Sequence, residues 1–336
     1  MPWRKDEAQF YEKLLKNYVE TDKDNVLMTA TEMGEAFVNR KIFPEEIVSI
    51  HMEAMNNLFG KISDERRLSL EFLHKTLIAY RKSYERLEKI RMEQLELKSE
   101  IEVAANMQKT VLQTNIPVVE GLDIGVISIP YSQMNGDYYH FVKRDDGTLG
   151  LAIADVIGKG IPAAFSMSMI KYGMDNFYEE KMKVNEVLRR LNRIVERNIA
   201  SSMFITMFYG QYFPKSKTFN YASAGHEPGF LYKNKTESFS ELQTKGLVLG
   251  VLKNSDYPQY ELTMEKGDMV VLLTDGVTEC QRAGQFISRQ EILKIIELYR
   301  HLSAQKQVEQ VYEHLKNIEE YMVRDDFTLM ILKNTV

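Results

Sequence analysis

Five aspartates stand where apolar runs begin or end. Asp137 opens NGDYYHFV, Asp155 closes LGLAIADVIGKG, Asp275 closes MVVLLTDGVTE, and Asp325 and Asp326 precede FTLMIL. One such residue alone reads as a turn or cap, because aspartate readily bonds its own backbone in turns. Five of them, each against an apolar run, read differently, since acids seldom gather at the end of a buried sheet without a task. The spacing of the first two sharpens this. Asp145-Asp146-Gly147 fits a three-residue hairpin loop with glycine in the left-handed position. Counting outward from that loop, Arg144 faces Thr148, and further matched steps bring Asp137 opposite Asp155. Directly opposed side chains on one face have Cβ atoms ~4.5–5.5 Å apart. Two carboxylates that close repel unless a cation lies between them.

The donor types indicate which cation. The chain has one cysteine, Cys280, and its six histidines (His51, His74, His140, His226, His301 and His314) are scattered without zinc spacing. A site of carboxylates suits hard ions, Mg²⁺ or Mn²⁺. Two such ions can acidify a water and orient it for in-line attack on a phosphoryl group. Asp155 is the expected bridging ligand, because its strand leads straight into Gly158-Lys159-Gly160 and leaves room for a substrate. That turn lacks Walker A spacing and reads as the start of a helix, with Lys159 in reach of a phosphate. His226, in SAGHEPG, reads as a hydrogen-bonded turn residue or an accessory to the site. No G-x-S-x-G elbow supplies a serine nucleophile, and Cys280 reads as a small buried residue.

These residues need strands and helices to place them. From residue 118 the pattern has period two, with strands expected at 122–129, 137–143, 149–156, 204–213, 219–224, 229–232, 269–274 and 327–332. Helices are expected at 161–177 and 184–199, and after Ser288 and Ser303. Strands clustered with paired helices imply an α+β layered fold. Ahead of this lies a nearly all-helical region. Of the 18 glycines only Gly34 and Gly60 precede residue 120, and Pro44 is the sole proline between residues 3 and 116. Phe10, Leu14, Leu15 and Tyr18 share one helical face, a second helix fits between 22 and 40, Pro44-Glu45-Glu46 reads as a helix start, and a last helix begins near Ser63-Asp64. Residues 1–84 are therefore expected to form a small all-α bundle.

No breaker follows that last helix. Leu87, Ile90, Gln94, Leu97, Ile101, Ala104, Gln108 and Val111 alternate in steps of three and four, which predicts a linker helix over 85–117 with a coiled-coil seam flawed by two glutamines. The plainer reading is an amphipathic helix packed on its own domain. The coiled coil would join two chains as a homodimer, and its flaws would suit a helix that changes its pairing.

Lys and Arg number 43 against 48 Asp and Glu, a net charge of −5 spread thinly, so no basic stripe for nucleic acid exists. No apolar run approaches the ~20 residues of a membrane span, and MPWRKDEAQF has no apolar signal core. A cytoplasmic protein is expected.

Taken in order, GDYYHF, ADVIGKGIPAAFSM, ASAGHEP, LTDGVTE and DDFTL resemble the PPM serine/threonine phosphatase domain of bacterial sigma-factor regulators, over about residues 118–336. The N-terminal bundle with IEVAANMQKTVL resembles the sigma-B general-stress phosphatases of bacilli. The resemblance implies a β-sandwich flanked by helix pairs. It implies a centre of two Mn²⁺ or Mg²⁺ ions held by Asp137, Asp155, the Val156 carbonyl, Asp275 and Asp325, with Asp137, Asp155 and Asp275 central to catalysis. Asp326 stands where many relatives have asparagine, and Val156 where many have glycine. The arginine that grips phosphate in eukaryotic members has no obvious counterpart. The implied substrate is a phosphoserine on a STAS-domain anti-anti-sigma factor. The implied activator is a kinase-like switch protein binding the N-terminal domain and linker. The rival expectations are a catalytically weak scaffold, a two-metal nuclease, and an adaptor acting through its bundle alone.

Overall fold

The computed structural model describes residues 5–21, 24–158, 160–177, 180–199, 203–282, 284–318, 321–322 and 325–336. Lys159 lies outside the described residues. Compact units fall at Met1–Lys98 and Ser99–Val336.

The first unit is helical. It contains α1 (Lys5–Thr21), α2 (Asp24–Asn39), α3 (Pro44–Phe59) and the first part of α4 (Asp64–Leu112). Pro44 sits at the start of α3, where its missing N–H costs nothing, and the Phe43 N–H is capped by Glu46 Oε2 at 2.7 Å. Val26, Met33 and Phe37 of α2 and Ile50 and Ala54 of α3 are buried. Arg81 of α4 pairs with buried Glu45 at 2.6 Å and lies over the Phe43 ring.

The second unit is a sandwich in four layers. Its elements are β1 (Leu122–Ile129), β2 (Asp137–Lys143), β3 (Leu149–Val156), α5 (Ile161–Asn176), α6 (Val184–Asn198), β4 (Ile205–Phe213), β5 (Thr218–Ala224), β6 (Phe230–Lys233), β7 (Ser238–Glu241), β8 (Tyr260–Thr263), β9 (Met269–Leu273), α7 (Asp275–Thr278), β10 (Gln281–Arg282), β11 (Gln285–Phe286), α8 (Arg289–Leu298), α9 (Ala304–Lys316), β12 (Tyr321–Met322) and β13 (Phe327–Asn334). One sheet runs β1-β13-β9-β6-β7 and the other β2-β3-β4-β5-β8, while β11-β10-β12 form a small third sheet. Alternation explains the layering. In β3, Leu149, Leu151 and Ile153 enter the core between the sheets, and Ala152, Ala154 and Val156 face α5 and α6. In β13, Met330 and Leu332 point inward while Phe327, Leu329 and Ile331 meet α8 and α9. Both faces of these strands are buried, so they read as unbroken apolar runs.

The expected strands all occur, with ends displaced by at most two residues. β7 and β8 were not expected: SFSE and YELT are short, half-polar edge strands without an apolar run. Helices follow Ser288 and Ser303 as predicted. Ser288 caps α8 through its side chain, whereas α9 takes its cap from another element, with the Ala304 N–H donating to Asp123 Oδ2 at 2.7 Å.

Gly125 of β1 shows how tightly α9 sits there. A β-carbon at this position would stand 2.2 Å from the Ala304 carbonyl carbon and oxygen and 2.4 Å from Gln305 N. Backbone cannot yield as a side-chain tip can. Gly125→Ala is therefore expected to lower the unfolding free energy by roughly 1–3 kcal/mol, as overpacking does. Denaturant melts check this, and an unchanged midpoint would mean that α9 stands off β1.

Candidate metal centre

The register places the first pair of acids. Gly147 closes the β2–β3 loop at φ 86°, and Asp137 pairs with Asp155 in the antiparallel ladder. This is the pairing predicted by counting outward from the loop. The second pair comes from the other sheet. β9 and β13 are neighbours, with Leu273 opposite Leu329. Just past β9, Asp275 begins α7, while Asp325 lies just before β13, close enough for its charge to act on Asp275. A hydrogen bond between the two sheets lies here: buried Thr274 donates to Asp137 Oδ2 at 2.7 Å. Thr274 Oγ1 also accepts the Thr328 N–H at 3.0 Å, so its hydroxyl is fixed in direction.

Asp326 does different work from Asp325. It is buried, and its carboxylate accepts from Tyr131 N at 2.7 Å and from Gly136 N. It thus holds both ends of the loop leading into Asp137. Gly136 keeps that place open. A β-carbon there would lie 2.8 Å from Asp326 Oδ2, 3.7 Å from Asp155 Oδ1 and 3.8 Å from the Val156 carbonyl oxygen. Three oxygens from two stretches of chain, the end of β3 and the start of β13, surround one glycine-sized space.

Among the described residues, no three of His, Cys, Asp and Glu are closed into a cation cage. The acids stand as two pairs bridged by Thr274. Burial pushes the Asp137 carboxyl well up; hydrogen bonds from Thr328 and Thr274 pull it back in part, and the charges of Asp155 and Asp326 raise it further. Burial, then the charge of Asp325, pushes Asp275 up to about 6. Oxygen donors at elevated pKa, with a carbonyl among them, fit a hard divalent ion.

The remaining expected residues are placed as follows. Gly158 is exposed in a turn with φ 123°. His226 is buried, and its Nδ1 lies 2.9 Å from the Thr206 hydroxyl. Thr206 is opposite Asp155 in the β3–β4 register, so His226 backs the strand beside Asp155. Burial lowers its pKa to about 4 and keeps the ring neutral. Cys280 is buried and bonded to the Gly276 carbonyl. Along α4, Leu87, Ile90, Gln94, Leu97 and Val111 are exposed, and Ile101 and Ala104 are half-buried. Gln108 departs from its expected place as a flaw in a seam. It is buried and bonds the backbone of Asn135. Thr274, Asn135 and Gly136 were not singled out, although each immediately precedes a marked aspartate or its neighbour.

The cation-free site has a measurable cost. An acid whose folded pKa exceeds its unfolded one costs stability above both values, and the cost vanishes below the unfolded value. Asp275→Asn is expected to raise the stability of cation-free protein near neutral pH by roughly 1 kcal/mol once solvent screening is allowed for. The gain should fade as the pH falls below about 6 and be gone near the ordinary aspartate value. Thermal melts across that range check it, and a gain that persists at the acid end would remove carboxylate burial as its cause.

A family model described as stage II sporulation protein E matches residues 145–335, and another, described as the N-terminal domain of phosphoserine phosphatase RsbU, matches residues 9–82. Phosphoserine phosphatase RsbU of Bacillus subtilis (strain 168) is 46% identical over 336 residues, which is 100% of both chains. Among solved structures, the SiaA-PP2C domain of Pseudomonas aeruginosa has a TM-score of 0.61 at 16% identity, over 72% of this chain and 98% of that one. The RsbU and RsbW domains of a Mycobacterium tuberculosis protein have a TM-score of 0.55 at 23% identity, over 66% of this chain and 63% of that one. Both structures share the fold of the sandwich. The full-length likeness and the two family models establish that the chain belongs to the RsbU family of PPM-type phosphoserine phosphatases.

Proposed function

We propose that the chain hydrolyses a phosphoserine on a STAS-domain anti-anti-sigma factor of the sigma-B stress pathway, in the cytoplasm, at a centre of two Mn²⁺ or Mg²⁺ ions. Asp137, Asp155, Asp275, Asp325 and the Val156 carbonyl would hold them. The observation that carries this reading is the meeting of two acidic pairs at one end of both sheets, joined by Thr274. When bound, the cations would acidify and orient a water and neutralise charge on the phosphoryl oxygens. The chain's own part is preorganisation. Thr274 fixes one oxygen of Asp137, Asp326 holds both ends of the loop before Asp137, and Asp155 sits where β3 runs out into an exposed turn that leaves space for a protein substrate.

Asp155→Asn is expected to cut turnover of the phosphorylated STAS protein by orders of magnitude, with the melting temperature little changed. Hydrolysis with and without Mn²⁺ tests it. Near-normal turnover by the variant at saturating Mn²⁺ would reject the assignment, and turnover unaffected by chelation would reject the cation centre.

The parts would divide as a regulatory and dimerising module over 1–84, a linker over 85–117 and the phosphatase over 118–336. A kinase-like switch protein would bind the first two. Apolar side chains left in solvent along α4 support a homodimer through the linker: Leu87 is 61% exposed, Ile90 46% and Leu97 56%. A helix stripe of that kind ordinarily has a partner. Ile90→Asp with Leu97→Asp is expected to shift the chain toward monomer in sedimentation and to abolish activation by the switch protein. A dimer of unchanged affinity would place the contact elsewhere.

A further inference from the structure

Gln108 is the one buried residue of α4, and its surroundings explain why it is polar. Its carboxamide meets both backbone groups of Asn135. Nε2 donates to the Asn135 carbonyl at 2.7 Å, and Oε1 accepts the Asn135 N–H at 3.1 Å. A side chain thus supplies the pairing that a neighbouring strand would otherwise provide. Asn135 passes the contact on in two directions. Its Oδ1 accepts the Asp137 N–H at 2.9 Å, and its Nδ2 donates to Ser128 Oγ at 2.9 Å. The Gln108 nitrogen also lies 3.6 Å from Met167 Sδ in α5.

A second tie lies beyond Asp137. Thr114, just past α4, is 3.2 Å from Nδ1 of buried His140 in β2, and His140 Nε2 is 2.7 Å from Asp175 Oδ1 in α5. The end of α4 and the residues after it are therefore bonded to the chain on both sides of Asp137, and each tie also reaches α5.

We infer that Gln108 is a positioning residue for the cation centre: it fixes the Asn135 peptide, and through the Asn135 side chain the backbone of Asp137, so the last turns of α4 set the pose of a ligand carboxylate. This rests on the proposed place of Asp137 among the ligands. It separates Gln108 from the coiled-coil seam, because a glutamine committed to Asn135 is not a core residue facing a second chain. A helix that turned or slid would release the clamp before touching any ligand directly. An apolar side chain of similar size would fill the space and leave two backbone groups without partners.

The test uses the full chain with Gln108→Leu and Gln108→Glu. The second keeps an acceptor for the Asn135 N–H and loses the donor to its carbonyl. Mn²⁺ binding is followed by calorimetry and phosphoserine hydrolysis as a function of Mn²⁺ concentration, with melting curves alongside. In Gln108→Leu, Mn²⁺ affinity is expected to fall roughly 10–100-fold, as for other groups that orient a ligand. The fall should be smaller in Gln108→Glu, and kcat should recover at saturating Mn²⁺. That split between metal affinity and kcat marks positioning when the melting curves show the metal-free variant folded at the assay temperature, since metal binding would also rescue a merely loosened fold. Should Gln108→Leu not fold, Gln108→Glu decides. Affinity within about twofold of the unaltered chain in the deciding variant overturns the clamp, whatever the activity. Failure of the underlying site reading looks different: the unaltered chain itself would show no Mn²⁺-dependent hydrolysis.

Discussion

Carboxylates crowded into a poorly solvated place repel one another and lose hydration, so nothing in their own chemistry would assemble them. The backbone does it instead. Asp137 and Asp155 are opposed because the β2–β3 ladder runs without a slip from its hairpin loop. Asp275 and Asp325 are close because β9 and β13 are hydrogen-bonded neighbours that reach the same edge. A one-residue slip in either ladder would turn a carboxylate to the opposite face. The register has to resist that repulsion, and the burial of both faces of the central strands supplies the resistance, with one core between the sheets and another under each helix pair.

The raised pKa values of Asp137 and Asp275 record their burial first and, after it, the repulsion that remains. Thr274 and Asp326 direct it without removing it. Thr274 gives a hydrogen bond to one acid from the opposite sheet, and Asp326 spends its own charge on backbone N–H groups of the loop before Asp137. Adjacent aspartates thus have separate tasks. The side chain of Asp325 answers to Asp275, whereas that of Asp326 is taken up by the loop. An asparagine at the second position could still hold one backbone N–H of the loop with its neutral acceptor.

Much of the sandwich was legible because its signals are local. A hairpin with a glycine at its left-handed position fixes a register, and a register fixes who faces whom, so Asp137 and Asp155 could be paired by counting. Apolar runs long enough to be buried on both faces located β1, β3, β9 and β13. What escaped was set by partners rather than by local signals. β7 and β8 are strands only because β6 and β5 offer them an edge. Thr274 looks like any residue before an aspartate until the opposite sheet brings Asp137 to its hydroxyl. The start of α9 looks capped by Ser303, yet Asp123 takes its first N–H across the fold.

Gln108 shows the limit of periodicity most sharply. Spacing by three and four says that a helix has a stripe, and nothing in the spacing says what covers it. Along α4 the stripe changes character. Leu87 to Leu97 are apolar and in solvent, Ile101 and Ala104 are half-covered, and Gln108 is buried against a peptide group of the phosphatase unit. A single unbroken repeat therefore serves two environments in succession. The glutamine that would weaken one is what the other requires, because a backbone N–H and C=O without strand partners need a donor and an acceptor from one side chain. A carboxamide of this length meets that need, and a leucine continuing the heptad would not.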